Sequence, residues 1–268
     1  TPIPRSLALT LYGDLDLSIM DELPPGRQPI PTHILTPQER ERAYTLIRSQ
    51  VMDGHQAFII YPLVEESEKS ELLAATQEHE TLQKEVFPDL KLGLLHGRMK
   101  ASEKDSVMLA FREKQYDILI STTVVEVGVD VPNATVMLIE GANNFGLAQL
   151  HQLRGRVGRS QAQSFCLLIP DHEDAAENER LKAMAETNNG FVLAERDLQQ
   201  RGPGEFLGTR QAGYATSLKM ASLSDIQLIE KARVQAQALF ARDPELKVPE
   251  NSLLGEAINR FWGGGKGD

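Results

Sequence analysis

Residues 57–62 read Ala57-Phe58-Ile59-Ile60-Tyr61-Pro62, a run of strand length that does not alternate apolar with polar positions. A strand with one wet face alternates; a run that does not is buried on both faces, as parallel strands covered by helices are. Upstream, Thr36-Pro37-Gln38-Glu39 is a capping box with proline at the first helical position. It predicts a helix reaching Asp53, with Gly54 as its stop. Downstream, a polar helix is expected from about Ser67 to Phe87, closed by Pro88. Further strands are expected at Lys91–Leu95, Asp117–Ser121, Thr135–Glu140 and Ser164–Ile169, with helices at Ala101–Lys114 and Leu147–Val157. Strands separated by helices of this length make βαβ units, so the expected fold class is α/β, a mostly parallel sheet flanked by helices. Leu7–Tyr12 is one more strand candidate. Asp21–Pro31, with four prolines and a glycine, must be extended loop because proline removes backbone donors.

After Pro170 the pattern changes. Asp171–Asn189 is charged and helix-prone, Phe191–Gln200 continues as helix, and Gly202-Pro203-Gly204 breaks it. A loop rich in Gly, Thr and Gln follows to about Tyr214, then helical stretches at Ser224–Arg242 and Ser252–Trp262, and a tail from Gly263. Two domains are therefore expected, 1–170 and 171–268, within a 268-residue chain. Lys and Arg number 28 against 38 Asp and Glu, a formal net charge of −10. That excludes a protein that coats nucleic acid with a uniformly basic surface; any such contact must be a local patch. One cysteine, Cys166, excludes an intramolecular disulfide framework and an all-cysteine zinc site and is expected to be core. No apolar stretch approaches the about 18 residues of a membrane span. Thr1-Pro2-Ile3-Pro4-Arg5 reads as the middle of something longer.

Three clusters carry chemistry. The densest is Gln152-Leu153-Arg154-Gly155-Arg156-Val157-Gly158-Arg159, with no acid between Gly141 and Pro170. If helical, Gln152, Arg156 and Arg159 share one face. Guanidinium groups stay charged and grip phosphate oxygens in a fork, which suits a triphosphate; a solvated basic helix end is the plainer alternative. The second cluster, Ser121 to Asp130, follows a buried strand, where open α/β sheets place ligand contacts. Thr122 and Thr123 can reach a phosphate, Gly128 admits close backbone approach, and Asp130 can accept from a ribose hydroxyl; ordinary loop capping is the alternative. The third is His96-Gly97-Arg98, again just after a strand and with Lys100 and Lys104 nearby, either a phosphate-backbone contact or a plain turn. No group of residues has metal-ligand spacing. G-x-x-x-x-G-K-[ST] is missing, as is a D-E-x-x box upstream of the arginines. Arginines for a triphosphate are present without a cradle or carboxylates for its magnesium.

These motifs resemble the C-terminal half of superfamily 2 DNA helicases, and specifically the bacterial RecG family. Thr1–Arg5 resembles the end of the family's T-A-T-P-I-P-R motif. Glu126-x-Gly128-x-Asp130 is similar to helicase motif V, and Gln152–Arg159 to motif VI. Gly190–Leu198, continued by Arg201–Gln211, resembles the translocation (TRG) motif shared with the transcription-repair coupling factor. The wording Arg201-Gly202-Pro203-Gly204-Glu205 and Gly208-Thr209-Arg210-Gln211 is the RecG version. The resemblance implies a RecA-like domain followed by a helical hairpin and C-terminal helices. It implies ATP with Mg2+, in a site completed by a second RecA-like domain outside this sequence. Arg156 and Arg159 would be arginine fingers, Gln152 would contact the γ-phosphate, and Glu126, Gly128 and Asp130 would lie near ribose and magnesium. His96, Gly97, Arg98, Thr122 and Thr123 would face DNA, while Asp197, Arg201, Arg210 and Gln211 would couple hydrolysis to translocation. The implied partners are branched double-stranded DNA (forks and Holliday junctions) and the protein's own N-terminal helicase and wedge domains. The implied setting is monomeric, in the bacterial cytoplasm. The coupling factor itself and a non-catalytic binding module are the competing readings. Alone, the chain is expected to hydrolyse no ATP.

Overall fold

The structure is a computed structural model that describes residues 28–62, 68–122, 130–201 and 226–263. The strand expected at Leu7–Tyr12, the TPIPR motif and most of the proline-rich loop lie outside the described residues. So do Thr123, Glu126, Gly128, Arg210 and Gln211.

Six strands form one wholly parallel sheet: β1 (Thr32–Ile34), β2 (Gln56–Ile60), β3 (Leu92–Leu95), β4 (Ile118–Ser121), β5 (Ala134–Glu140) and β6 (Phe165–Ile169), in the order β1-β6-β5-β2-β4-β3. The pleat explains the non-alternating runs. Phe58 and Ile60, Leu119, Met137 and Ile139, and Cys166 and Leu168 enter one apolar cluster. Their chain neighbours Ala57 and Ile59, Ile118 and Ile120, Val136 and Leu138, and Leu167 and Ile169 enter the other. Each central strand thus feeds two cores, which a half-exposed strand cannot do.

Helix α1 (Arg40–Met52) buries Ala43, Tyr44 and Ile47 on one face of the sheet. The Thr36 capping box forms, with Thr36 N donating to Glu39 Oε2 at 3.0 Å. Residues Pro37–Glu39 are a short 3-10 turn leading into α1, so the expected helix is present but tightened at its start. Helix α2 (Glu68–Thr81) ends in a π turn over Leu82–Val86, which places Phe87 edge-on to Tyr44, ring centroids 5.4 Å apart. The opposite face is covered by α3 (Ala101–Arg112), with Phe111 edge-on to Phe58 at 5.0 Å. Also on that face are α4 (Leu147–Arg154), α5 (Glu179–Glu186) and α6 (Gly190–Arg201), through Leu150, Leu153, Leu181, Met184 and Leu193. Instead of one helix over 171–189, a 3-10 turn at Glu173–Glu177 precedes α5, whose start Asn178 caps by accepting from Arg180 N.

Among the described residues, this compact unit runs through Gln200 and a second begins at Arg201. The second unit contains α7 (Ile226–Arg242) and α8 (Ser252–Gly263). Asp243 organises the turn between them, accepting from Lys247 N, Val248 N and Asn251 Nδ2 at 2.9–3.0 Å.

Candidate functional site

Helix α4 builds the arginine cluster. It opens at Gly146, whose N–H donates to Gln149 Oε1 at 3.0 Å, and Leu147, Leu150 and Leu153 anchor it to the core. That inward face leaves Gln152 half-buried on another side. The helix closes at Arg154, three residues sooner than the sequence suggests. Gly155 N still reaches His151 O, but Arg156 N and Val157 N make tighter bonds to Leu153 O and Arg154 O. Gly158 then turns into left-handed backbone, φ +72°, where an added Cβ would lie 2.8 Å from Ile30 Cδ1. Gln152, Arg156 and Arg159 therefore do not form one helical stripe; Arg156 and Arg159 sit on a turn beyond the helix.

That turn folds Arg159 back on itself. Its Nε donates to Gly155 O at 3.2 Å, and its Nη1 to Asp130 Oδ1 at 2.9 Å. The structure thus joins Asp130 to Arg159 across 29 residues of sequence. Asp130 precedes β5 and Arg159 precedes β6, whereas His96 and Thr122 directly follow the carboxyl ends of β3 and β4. Thr122 N donates to Leu95 O at 3.3 Å, tying those two strand ends together, and Thr122 Oγ1 is buried with no hydrogen-bond partner among the described residues. His96 is half-buried, while Gly97 and Arg98 are exposed. What the sequence presents as one cluster, Ser121 to Asp130, is split: its start lies at the carboxyl edge of the sheet and its end toward the amino edge. Asp197, which the resemblance places in the coupling network, is buried, only 6% exposed. Arg201 closes α6.

Two residues of this helix are given no role by the sequence reading. Arg154 points inward and is 2% exposed, and His151 one turn earlier is 6% exposed. Arg154 Nη2 donates to His151 Nδ1 at 3.1 Å, so the neutral ring carries its hydrogen on Nε2. Burial, reinforced by the Arg154 charge, pushes His151 down to about 4. The leucine phase of the helix was the available signal: residue 154 follows the Leu147, Leu150 stripe, on the face opposite the solvent. Nearby, Arg180 donates to Phe145 O at 3.1 Å and Asn143 O at 3.0 Å, pinning the start of α5 to the turn that precedes α4. At the carboxyl end of β5, buried Glu140 accepts both arms of Arg40 at 2.9 and 3.0 Å. Desolvation raises its carboxyl, against the lowering effect of Arg40.

The arrangement suits an anion at the arginine turn. Arg159 carries a guanidinium there, held by the partly solvated carboxylate of Asp130, and Arg156 lies on the same turn. A metal is less well served: among the described residues, no group of three His, Cys, Asp or Glu is placed to hold an ion.

The wholly parallel, helix-flanked sheet fits one class of domain, and the family matches identify it as a helicase C-terminal domain. Residues 38–161 match the helicase conserved C-terminal domain family, and residues 187–261 match the C-terminal part of domain 3 of the ATP-dependent DNA helicase RecG. The chain is a RecG-family sequence, matching the family's C-terminal region. It is 53% identical over 247 residues to the ATP-dependent DNA helicase RecG of Synechocystis, covering 92% of this chain and 30% of that protein. It is 51% identical over 256 residues to the Thermotoga maritima RecG, covering 95% of this chain and 32% of that one. A solved structure of RecG bound to a three-way DNA junction matches with a TM-score of 0.67 at 48% identity, covering 87% of this chain and 29% of that chain. The chain therefore spans about a third of the length of the relatives it matches, and its fold is RecA-like.

Proposed function

We propose that this chain is the second motor domain and coupling region of an ATP-dependent translocase that remodels branched double-stranded DNA, such as stalled forks and recombination junctions. The observation that carries the reading is the turn 155–159, which holds Arg159 beside Asp130. Arginines from one domain that reach a triphosphate held by another stabilise the charge that develops in phosphoryl transfer. In this reading Arg156 and Arg159 are the fingers and Gln152 meets the γ-phosphate. Asp130, with Glu126 and Gly128, borders the ribose and magnesium. The magnesium and the β-phosphate are held mainly by the other RecA-like domain, because the described residues here offer no carboxylate cluster. ATP supplies the free energy; what this chain contributes is position and positive charge.

His96, Gly97, Arg98 and Thr122, with Thr123 next in sequence, then serve the DNA from the carboxyl ends of β3 and β4, chiefly through a backbone amide and a guanidinium suited to phosphate. The motor domain is drawn to Pro170, where β6 ends. Residues 171–268 form the coupling region, with Asp197, Arg201, Arg210 and Gln211 in the network. The matched RecG in complex with a three-way junction supports branched DNA as the partner. No helix among the described residues is long and apolar enough to cross a membrane. The setting assigned in this reading is the bacterial cytoplasm, with the protein a monomer.

The test is complementation. This chain is mixed with a separately prepared N-terminal remainder of the helicase, docking is verified, and ATP hydrolysis is measured with and without a branched fork. Hydrolysis stimulated by the fork is expected in the docked mixture and in neither part alone. Turnover by this chain alone, or a docked mixture that is inactive, would contradict the reading.

A further inference from the structure

Arg154 differs from the other arginines of its motif in what holds it. Its buried guanidinium is met by neutral oxygens and a ring nitrogen: Nη1 donates to Thr32 Oγ1 at 3.2 Å, Met184 O at 2.8 Å and Thr187 O at 3.0 Å, and Nη2 to His151 Nδ1 at 3.1 Å. Met184 lies in the last turn of α5 and Thr187 is its C-cap. Arg154 thus caps a different helix, satisfying carbonyls at the negative end of that helix's dipole. His151 makes the second contact. Its Nε2 is buried without a hydrogen-bond partner and faces the start of α6, where a Cβ on Gly190 would come within 2.8 Å of it. One turn of α4 therefore grips the end of α5 through Arg154 and the beginning of α6 through His151.

Stability alone is a poor reason for this arrangement. Burying a cation away from water is costly, and apolar residues of similar volume often do as well or better in such places. A donor left unsatisfied at His151 Nε2 adds to that cost. What the contacts do provide is rigidity between two elements, and Arg154 lies two residues from both Gln152 and Arg156.

We propose that Arg154 and His151 are positioning residues that make α4 and the α5–α6 pair move as one body, so that displacement of the Arg156–Arg159 turn is passed to α6. The inference rests on the reading of that turn as nucleotide-facing. Neither residue touches nucleotide or DNA. Their role is to set how much movement each hydrolysis yields.

The experiment measures base pairs translocated per ATP hydrolysed, in a full-length helicase that carries this chain as its C-terminal region. Arg154→Met keeps the side-chain volume and removes the donors; Arg154→Lys keeps the charge and one donating centre. Arg154→Met is expected to lower the coupling ratio roughly threefold to tenfold, with the KM for ATP unchanged, and Arg154→Lys to recover part of it. A fall in the fraction of folded enzyme lowers translocation and hydrolysis together and leaves the ratio fixed, so an unchanged ratio would overturn the proposal. Should Arg154→Met fail to fold, Gly190→Ala carries the test, because its methyl group presses on His151. It should lower the ratio, and His151→Ala in the same chain should restore it; no change, or no restoration, counts against the proposal. Arg156→Ala in the same helicase separates the two readings. If it leaves hydrolysis intact, the nucleotide-facing turn is wrong whatever the ratio does. If it abolishes hydrolysis while the ratio ignores Arg154 and Gly190, only the positioning role fails.

Discussion

Arg159 and Asp130 meet at 2.9 Å with side chains 30% and 55% exposed. An ion pair that wet contributes only ~0–1 kcal/mol, so it opens at little cost when a more highly charged anion approaches. In the proposed function the pair would therefore keep Arg159 oriented before a triphosphate arrives, without competing seriously for it. His151 behaves in the opposite way, since its environment is dry. With its pKa lowered to about 4 against ~6.5 for an exposed imidazole, unfolding takes up a proton between those values. The contribution of the neutral ring is therefore fully present above about pH 6.5 and is lost progressively as pH falls toward 4. Replacing His151 with Gln, which can still accept from Arg154, removes the titration. Urea unfolding across that window should show the wild-type chain losing ground to His151→Gln as pH drops. A stability difference that stays constant with pH would contradict the assignment of a buried, neutral His151.

At the scale of elements, the continuous apolar strands were legible because burial on both faces leaves a mark at every position. β1 was not. Thr32-His33-Ile34 is short, partly polar and set against Pro31; what makes it a strand is the edge of β6, through Cys166 N to Pro31 O and Leu35 N to Leu168 O, both 2.9 Å. The end of α4 was misjudged for a related reason. Leucine spacing suggests that the helix continues to Val157, but Gly155 and Gly158 release it, and Gly158 adopts a backbone that disfavours any side chain. Gly158→Ala should cost about 1–3 kcal/mol, from the left-handed φ and from crowding Ile30, measured by chemical denaturation. A neutral substitution would mean that the turn is not held as described. The candidate site was legible in its residue types and only partly in its geometry. Q-x-x-G-R-x-x-R points to a triphosphate, yet the pairing of Arg159 with Asp130 spans 29 residues and that of Arg154 with Thr32 spans 122. Contacts of that sequence separation leave no local pattern to read.

For the whole molecule, the sheet separates two kinds of chemistry. The arginine turn lies toward the amino edge, while His96 and Thr122 sit at the carboxyl ends of β3 and β4, and α4 to α6 pack on one face behind both. A net charge of −10 means that long-range attraction to DNA comes from the few cations at that carboxyl edge and from the rest of the protein, since the chain as a whole repels phosphate. In the function proposed above, such a domain is moved against a partner domain and contributes to hydrolysis through the arginine turn. The most direct measurement is the fork-stimulated kcat for ATP in a full-length helicase carrying Arg159→Ala in this chain, with fork binding measured alongside. An arginine finger is worth about 10³–10⁵-fold in kcat, so a loss of that order with fork affinity preserved is the expected result. A kcat within about twofold of wild type would show that the arginine turn does not serve the nucleotide.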